Sequence, residues 1–543
     1  MNRAGLLAAG LGAATAAALA LRLPQLDRRP VHADEAVHMW KCAELRWGPG
    51  YRYDPHDYHG PTLNYLTLPV LAAAGAPSFA DTQPRHYRLV PALAGAALVP
   101  LLTLLVPALG GGAAVLAGLC AAVSPALVFY SRYYIQETLL VGFTLLTLGA
   151  GWRFFRSRRI GWALLAGVGL GLMHATKETC VLVLAALALA GVVTERPWRR
   201  AAVRAATVSQ PALWPGLVVG SAAAVLTSVT LFSALLTDAG GPWRSLAALA
   251  TYADRAAGTT HSGPWYQYLT LLVYQHPRPG PVWTEAVILG GATLGAVAAF
   301  RPRWFGGAER VTGDVRFVRF LAVYAAALLA LYSAIPYKTP WCVLGPLHAL
   351  TLLAGCGMAT LIRVAPRTWG RPVVALLLAG GVGHLASQAW RAAVPLSADD
   401  RNPYVYAGTR RSVADLLATL DRLAAAHRDG RRVRIDVIAD NVWPLPWYLR
   451  RFERVGYWEP AAAPATPAAP LVLVGLSAAA VADRLPGARV AAHFGLRRDE
   501  VVMLCVDRSL WEAAFAVPDA AVPGAAATDP TAPAATAAGE GAP

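Results

Sequence analysis

The sequence predicts an all-α, multi-pass membrane protein of about eleven spanning helices, followed by a small extracytoplasmic α/β domain. Three observations predict it. Hydrophobic residues make up 56% of the 543 residues and charged residues only 15%, where an average soluble protein carries about 25% charged residues. Mean hydropathy is +0.42. Apolar runs long enough to cross a bilayer, about 17–25 residues, recur up to residue 390 and then stop.

The runs fall at roughly 4–22, 87–109, 112–130, 137–152, 160–175, 178–194, 213–236, 283–300, 317–335, 341–362 and 371–390. The apolar stretch 63–76 is short and reads as interfacial. Before the first run the charged N-region is only Arg3, and ten spans follow. That pattern reads as a retained anchor rather than a cleaved signal.

The net charge is +16. In a soluble chain that would suggest nucleic acid, but here it follows the loops. Arg153, Arg156, Arg158 and Arg159 form one cluster, and Arg196, Arg199, Arg200 and Arg204 another. Arg301, Arg303, Arg310, Arg316 and Arg319, then Arg363, Arg367 and Arg371, complete the set. These clusters fall on alternate connections, which the positive-inside rule places in the cytoplasm. A plasma-membrane protein results, with loops 23–86 and 237–282 and everything after 390 outside. Loop 23–86 carries basic residues of its own and fits the rule least well.

Residues 391–517 mix amphipathic helix patterns with short apolar strands and read as the outer α/β domain. Residues 518–543 are mainly Ala, Pro, Gly and Thr and have too little to bury, so they read as a disordered tail. No Walker A sequence or dinucleotide fingerprint occurs, which excludes an ATP-driven transporter within this chain and disfavours a cytoplasmic nucleotide-sugar enzyme.

Chemistry concentrates in the first outer loop. Residues 31–65 hold Asp34, Glu35, Glu44, Asp54 and Asp57, with four of the twelve histidines (His32, His38, His56, His59) and six aromatic rings including Tyr58. Aromatic faces beside carboxylates suit sugars, and an interfacial aromatic belt would share that composition. Asp34 follows the first span closely, where partial desolvation raises a carboxylate's pKa and fits it to act as general base. An interfacial helix cap at Asp34 is the plainer reading.

HADEAVH, YDPHDYHGPTLNYL, YKTPW and NVWPLPWYLRR resemble the flippase-activity-associated family of prokaryotic membrane proteins. The acidic pair after the first span also resembles the wider GT-C glycosyltransferases, near the protein O-mannosyltransferases and aminoarabinose transferases. The resemblance implies a GT-C helical bundle, residues 1–390, whose first outer loop carries the catalytic acid. It implies inverting transfer of a sugar from a polyprenyl-phosphate donor, held in the membrane lipid, to a hydroxyl of a glycan or protein acceptor on the extracytoplasmic face. Asp34 would be the base and Glu35 would orient it.

For the donor phosphate the candidates are Arg132, Lys177 and Lys338. Arg132 lies in SRYYIQETLL, where related transferases carry an arginine, and a snorkelling interface arginine fits equally. Of 48 basic residues only Lys41, Lys177 and Lys338 are lysine. A compact ammonium retained in an arginine-rich chain suits a tight phosphate site. His59, Tyr58, Glu137, Glu178 and His261 are the further candidates for substrate contact. No cofactor is required; the alternative is a divalent ion held by the loop's acids and imidazoles. A non-enzymatic lipid-linked-sugar translocase, or an accessory subunit of one, competes with the enzyme.

Overall fold

A computed structural model describes residues 2–56, 59–206, 213–258, 261–464, 467–498 and 500–516. The expected tail, 518–543, lies outside the described residues. Two compact units are present: Met1–Ala414 with Asn441–Arg451 and Phe494–Val501, and Asp415–Asp440 with Phe452–His493 and the described part of Val502–Pro543.

The first unit is helical. Each of the eleven expected runs coincides with an apolar helix, but among the described residues seven helices are both long and apolar enough to cross a bilayer, including Arg3–Arg22, Glu137–Ser157 and Val315–Ala334. Gly111–Val123, Ile160–His174, Cys180–Thr194 and Ala286–Phe300 are shorter apolar helices, as is Thr62–Ala74, which covers the short run at 63–76. Helix length therefore supports a multi-pass membrane protein without establishing eleven crossings.

In lipid, helix association relies on close packing rather than on the hydrophobic effect. Ile160–His174 lies against Leu213–Phe232, where a Cβ on Gly167 would fall 2.0 Å from the Gly220 carbonyl oxygen. Only glycine permits that backbone approach.

The second unit contains a five-stranded sheet, apart from the 494–501 stretch of its last two strands. Its strands are β1 (Ile435–Ile438), β2 (Val455–Trp458), β3 (Leu471–Gly475), β4 (Arg489–Arg497) and β5 (Glu500–Asp507), in the order β2-β1-β3-β5-β4. β1 runs parallel to β2 and β3, and β5 antiparallel to β3. β1 and β3 are buried along their whole length, as expected of strands covered on both faces.

Candidate active site

The site begins at the start of helix Ala33–Trp47. The Asp34 N–H donates to His32 Nδ1 (3.1 Å), and the His32 N–H donates to Glu35 Oε2 (3.0 Å). These reciprocal bonds satisfy backbone donors that a helix start leaves unpaired. The cap is thus His32, not Asp34. His32 is fixed in turn by the Tyr406 carbonyl at 3.0 Å from Nε2 and by the edge of Trp341.

Adjacent helical residues point about 100° apart, and the two acids meet opposite surroundings. The Asp34 side chain is 48% exposed and lines a large cavity. Glu35 is completely buried and is not among the cavity-lining residues. It accepts from Arg88 Nε (2.7 Å) and Nη2 (2.8 Å), from Arg29 Nη2 (3.0 Å) and from the Tyr134 N–H (2.9 Å). Burial opposes its charge, but Arg29 and Arg88 outweigh burial and hold the carboxyl well below its usual range.

A second segment carries His59. A Cβ on Gly60 would lie 2.2 Å from the Ala175 carbonyl oxygen, so the residue must be small. That carbonyl also accepts from the Thr62 N–H (3.2 Å) and Oγ1 (2.7 Å). The segment is pinned to the turn before helix Cys180–Ala206. His59 Nδ1 then meets Glu178 Oε2 at 2.6 Å and the Tyr252 hydroxyl at 2.8 Å. The Tyr53 hydroxyl donates to Glu178 Oε1 at 2.9 Å.

In the same turn, Lys177 Nζ donates to Glu137 Oε1, and both side chains are buried. Desolvation opposes the ammonium, but Glu137 more than restores it, so Lys177 stays protonated above the ordinary lysine range.

Asp34, His38, His59, Lys177, Glu178 and Tyr252 line one cavity of about 630 Å³, within the range of small-molecule sites. Val181, Leu182, Leu249 and Ile335 give it an apolar wall. His38 accepts from Gln136 Nε2 at 3.2 Å. Burial, with His59 beside it, pushes its imidazole down to about 3, so it is neutral.

Other expected site residues are elsewhere. Arg132 is buried and gives Nη1 to the Arg22 carbonyl (2.7 Å) and Nη2 to the Gln25 carbonyl (3.3 Å). It does not line the cavity, because it ties down the chain leaving the first helix. Lys338 is buried, and its Nζ donates to the carbonyls of Tyr332 (3.1 Å), Ser333 (2.9 Å) and Ile335. It closes the C-terminal end of helix Val315–Ala334, where orphan carbonyls attract a cation. His261 contacts the Tyr406 hydroxyl and the edge of Tyr337, and Tyr337 rather than His261 lines the cavity. Tyr58 lies outside the described residues. Among the described residues no three His, Cys, Asp or Glu side chains sit close enough to hold a metal ion.

Sequence reasoning did not single out Tyr252, Tyr337 or Trp341 as site residues, although all three line the cavity. Tyr337 and Trp341 flank Lys338 in the YKTPW motif. Tyr252 sits on helix Gly241–Ala257, whose amphipathic pattern was the available signal.

Residues 67–237 match the family model for dolichyl-phosphate-mannose-protein mannosyltransferases. Over 94% of this chain and 99% of its own, ArnT from Cupriavidus metallidurans bound to undecaprenyl phosphate superposes with a TM-score of 0.60 at 15% identity. The chain shares the fold of that protein. The apo state of the same ArnT gives 0.59 at 14% identity, covering 93% of this chain and 99% of that one. An Archaeoglobus fulgidus oligosaccharyltransferase tethered to an acceptor peptide gives 0.47 at 14% identity, over 83% of this chain and 63% of its own. No curated protein matches this chain in sequence.

Proposed function

We propose that the protein is an integral-membrane glycosyltransferase that moves a sugar from a polyprenyl-phosphate donor to an acceptor hydroxyl. The observation that carries this reading is one cavity shared by a half-exposed carboxylate, Asp34, and a buried ammonium, Lys177. The mannosyltransferase-type match over residues 67–237 and the lipid phosphate named with ArnT support the same donor class.

Asp34 removes the proton from the acceptor hydroxyl as that oxygen attacks the anomeric carbon, inverting it. Lys177 meets the donor phosphate, and Glu137 holds it charged and in place. The wall of Val181, Leu182, Leu249 and Ile335 accommodates the first isoprene units. Tyr252, Tyr337 and Trp341 offer ring faces and hydroxyls to the sugar. Glu35 acts at one remove: its buried arginine cluster and its cap bond to His32 set the turn that presents Asp34. His261 acts by way of Tyr337 at the rim. The reading places the site on the extracytoplasmic face of the plasma membrane, opposite the arginine-rich loops. It takes residues 1–390 as the transferase body and 391–517 as an outer domain that meets the glycan or protein acceptor.

The purified full chain in lipid, given polyprenyl-phosphate mannose or glucose and an acceptor extract, is expected to release polyprenyl phosphate. Asp34→Asn should abolish release while donor binding persists. Undiminished release in that variant would remove Asp34 as the base. A wild-type chain that moves lipid-linked sugar between leaflets without releasing lipid phosphate would favour the translocase instead.

A further inference from the structure

Glycosyl transfer from a lipid phosphate has a second charge to manage. The donor's phosphodiester carries one negative charge. When the anomeric C–O bond breaks, its electron pair goes to the phosphate oxygen and a second charge develops there. Among the described residues lining the cavity, Lys177 is the one lysine or arginine, and Glu137 already balances it. Arg132 and Lys338 are spent on backbone carbonyls.

We infer that His59, oriented by Glu178, is the general acid that delivers a proton to the leaving phosphate, while Asp34 serves as the base; this rests on the glycosyl-transfer reading. His59 lines the cavity beside Lys177. Its Nδ1 is engaged by Glu178 and Tyr252, which leaves Nε2 as the ring nitrogen for a ligand. A carboxylate on one imidazole nitrogen fixes the plane of the ring and which nitrogen faces the cavity. A protonated imidazole that faces the leaving oxygen can donate to it as the C–O bond breaks, which is the role of a general acid.

The step balances. The acceptor proton passes to Asp34 as the new C–O bond forms. The old C–O pair leaves on phosphate, which takes the proton from His59 Nε2. Asp34 then returns its proton to His59 through solvent, so the net change is one proton from acceptor to phosphate. Among the described residues, the charged and titratable groups sharing the cavity with His59 are Asp34 and His38 of helix Ala33–Trp47, Lys177 and Glu178 of the facing turn, Tyr252, Tyr332, Tyr337 and Cys342, with Tyr53 behind Glu178.

The test measures polyprenyl-phosphate release by the full chain in lipid between pH 5 and 9. Donors are polyprenyl-phosphate mannose and its phosphorothioate analogue, whose leaving group is the weaker base. Wild type should lose rate on the alkaline side as the imidazolium is lost, a range in which Lys177 stays charged. His59→Gln should lower the rate about 100-fold, the lower end for general acid catalysis, and abolish the alkaline fall. That penalty should shrink at least tenfold with the phosphorothioate. Glu178→Gln should move the alkaline fall to lower pH. An equal His59→Gln penalty with both donors, or a rate within threefold of wild type, would overturn the acid role. So would an active wild type without an alkaline fall, which needs no variant to fold. A wild type that releases lipid phosphate from neither donor would overturn the transferase reading and this inference with it.

Discussion

Asp34 and Glu35 are neighbours in sequence and should differ completely when neutralised. Glu35→Gln keeps the shape of the side chain but removes the one carboxylate facing Arg29 and Arg88. All three groups are buried, and the new amide aims N–H donors at guanidinium donors. Breaking a buried ion pair by neutralising one partner costs about 3–5 kcal/mol, because the other charge is left uncompensated. Here two guanidinium groups are left, so the upper part of that range is expected. Asp34→Asn alters a half-exposed side chain and should stay within about 0.5 kcal/mol. Thermal unfolding of the purified chain in detergent compares them: Glu35→Gln should melt several degrees below wild type, and Asp34→Asn with it. The pH dependence has a definite sign. Glu35 titrates below its unfolded value of about 4.3, so its stabilisation is complete above that value and is lost as pH falls toward the folded one. Wild type should therefore lose stability on acidification below about pH 4, and Glu35→Gln should lose less over the same interval. Wild-type melting of Glu35→Gln at neutral pH would refute the buried-network argument.

Lys177→Met should weaken donor binding at least tenfold and destabilise the chain, since Glu137 is left unpaired; adding Glu137→Met should recover thermal stability without recovering turnover. Lys338→Met strands carbonyls at a helix end and should cost about 1–3 kcal/mol, read by melting, with the donor KM unchanged. Arg132→Gln should likewise lower the melting temperature and spare donor affinity measured by lipid-phosphate binding. Gly60→Ala forces His59 away from Glu178, and displacements near 1 Å cost about 100-fold in rate; kinetics should show the loss in kcat, with the melting temperature lowered by less than in Glu35→Gln.

The spanning helices were legible because a bilayer leaves the backbone almost no alternative to long apolar helices. The cavity was less so, for reasons visible in single residues. Scarcity of lysine drew attention to Lys41, Lys177 and Lys338, and the three have different surroundings: Glu44 at 2.7 Å, Glu137, and three backbone carbonyls. An ammonium is a compact three-donor charge, equally suited to a phosphate and to a helix C-terminus, so rarity marks a demand for that group without saying which demand. Arg132 misled for a related reason. Its neighbours in sequence are aromatic, but its partners, the carbonyls of Arg22 and Gln25, lie more than a hundred residues away. The roles of the acidic pair turn on the same distant pairing. Helix geometry guarantees that Asp34 and Glu35 diverge; it does not say which enters the core. That is decided by Arg88, 53 positions further on. Once its guanidinium takes Glu35 inward, Asp34 is the acid turned to the cavity, and neutralising Arg88 should therefore disturb catalysis by an enzyme whose reacting groups it never touches.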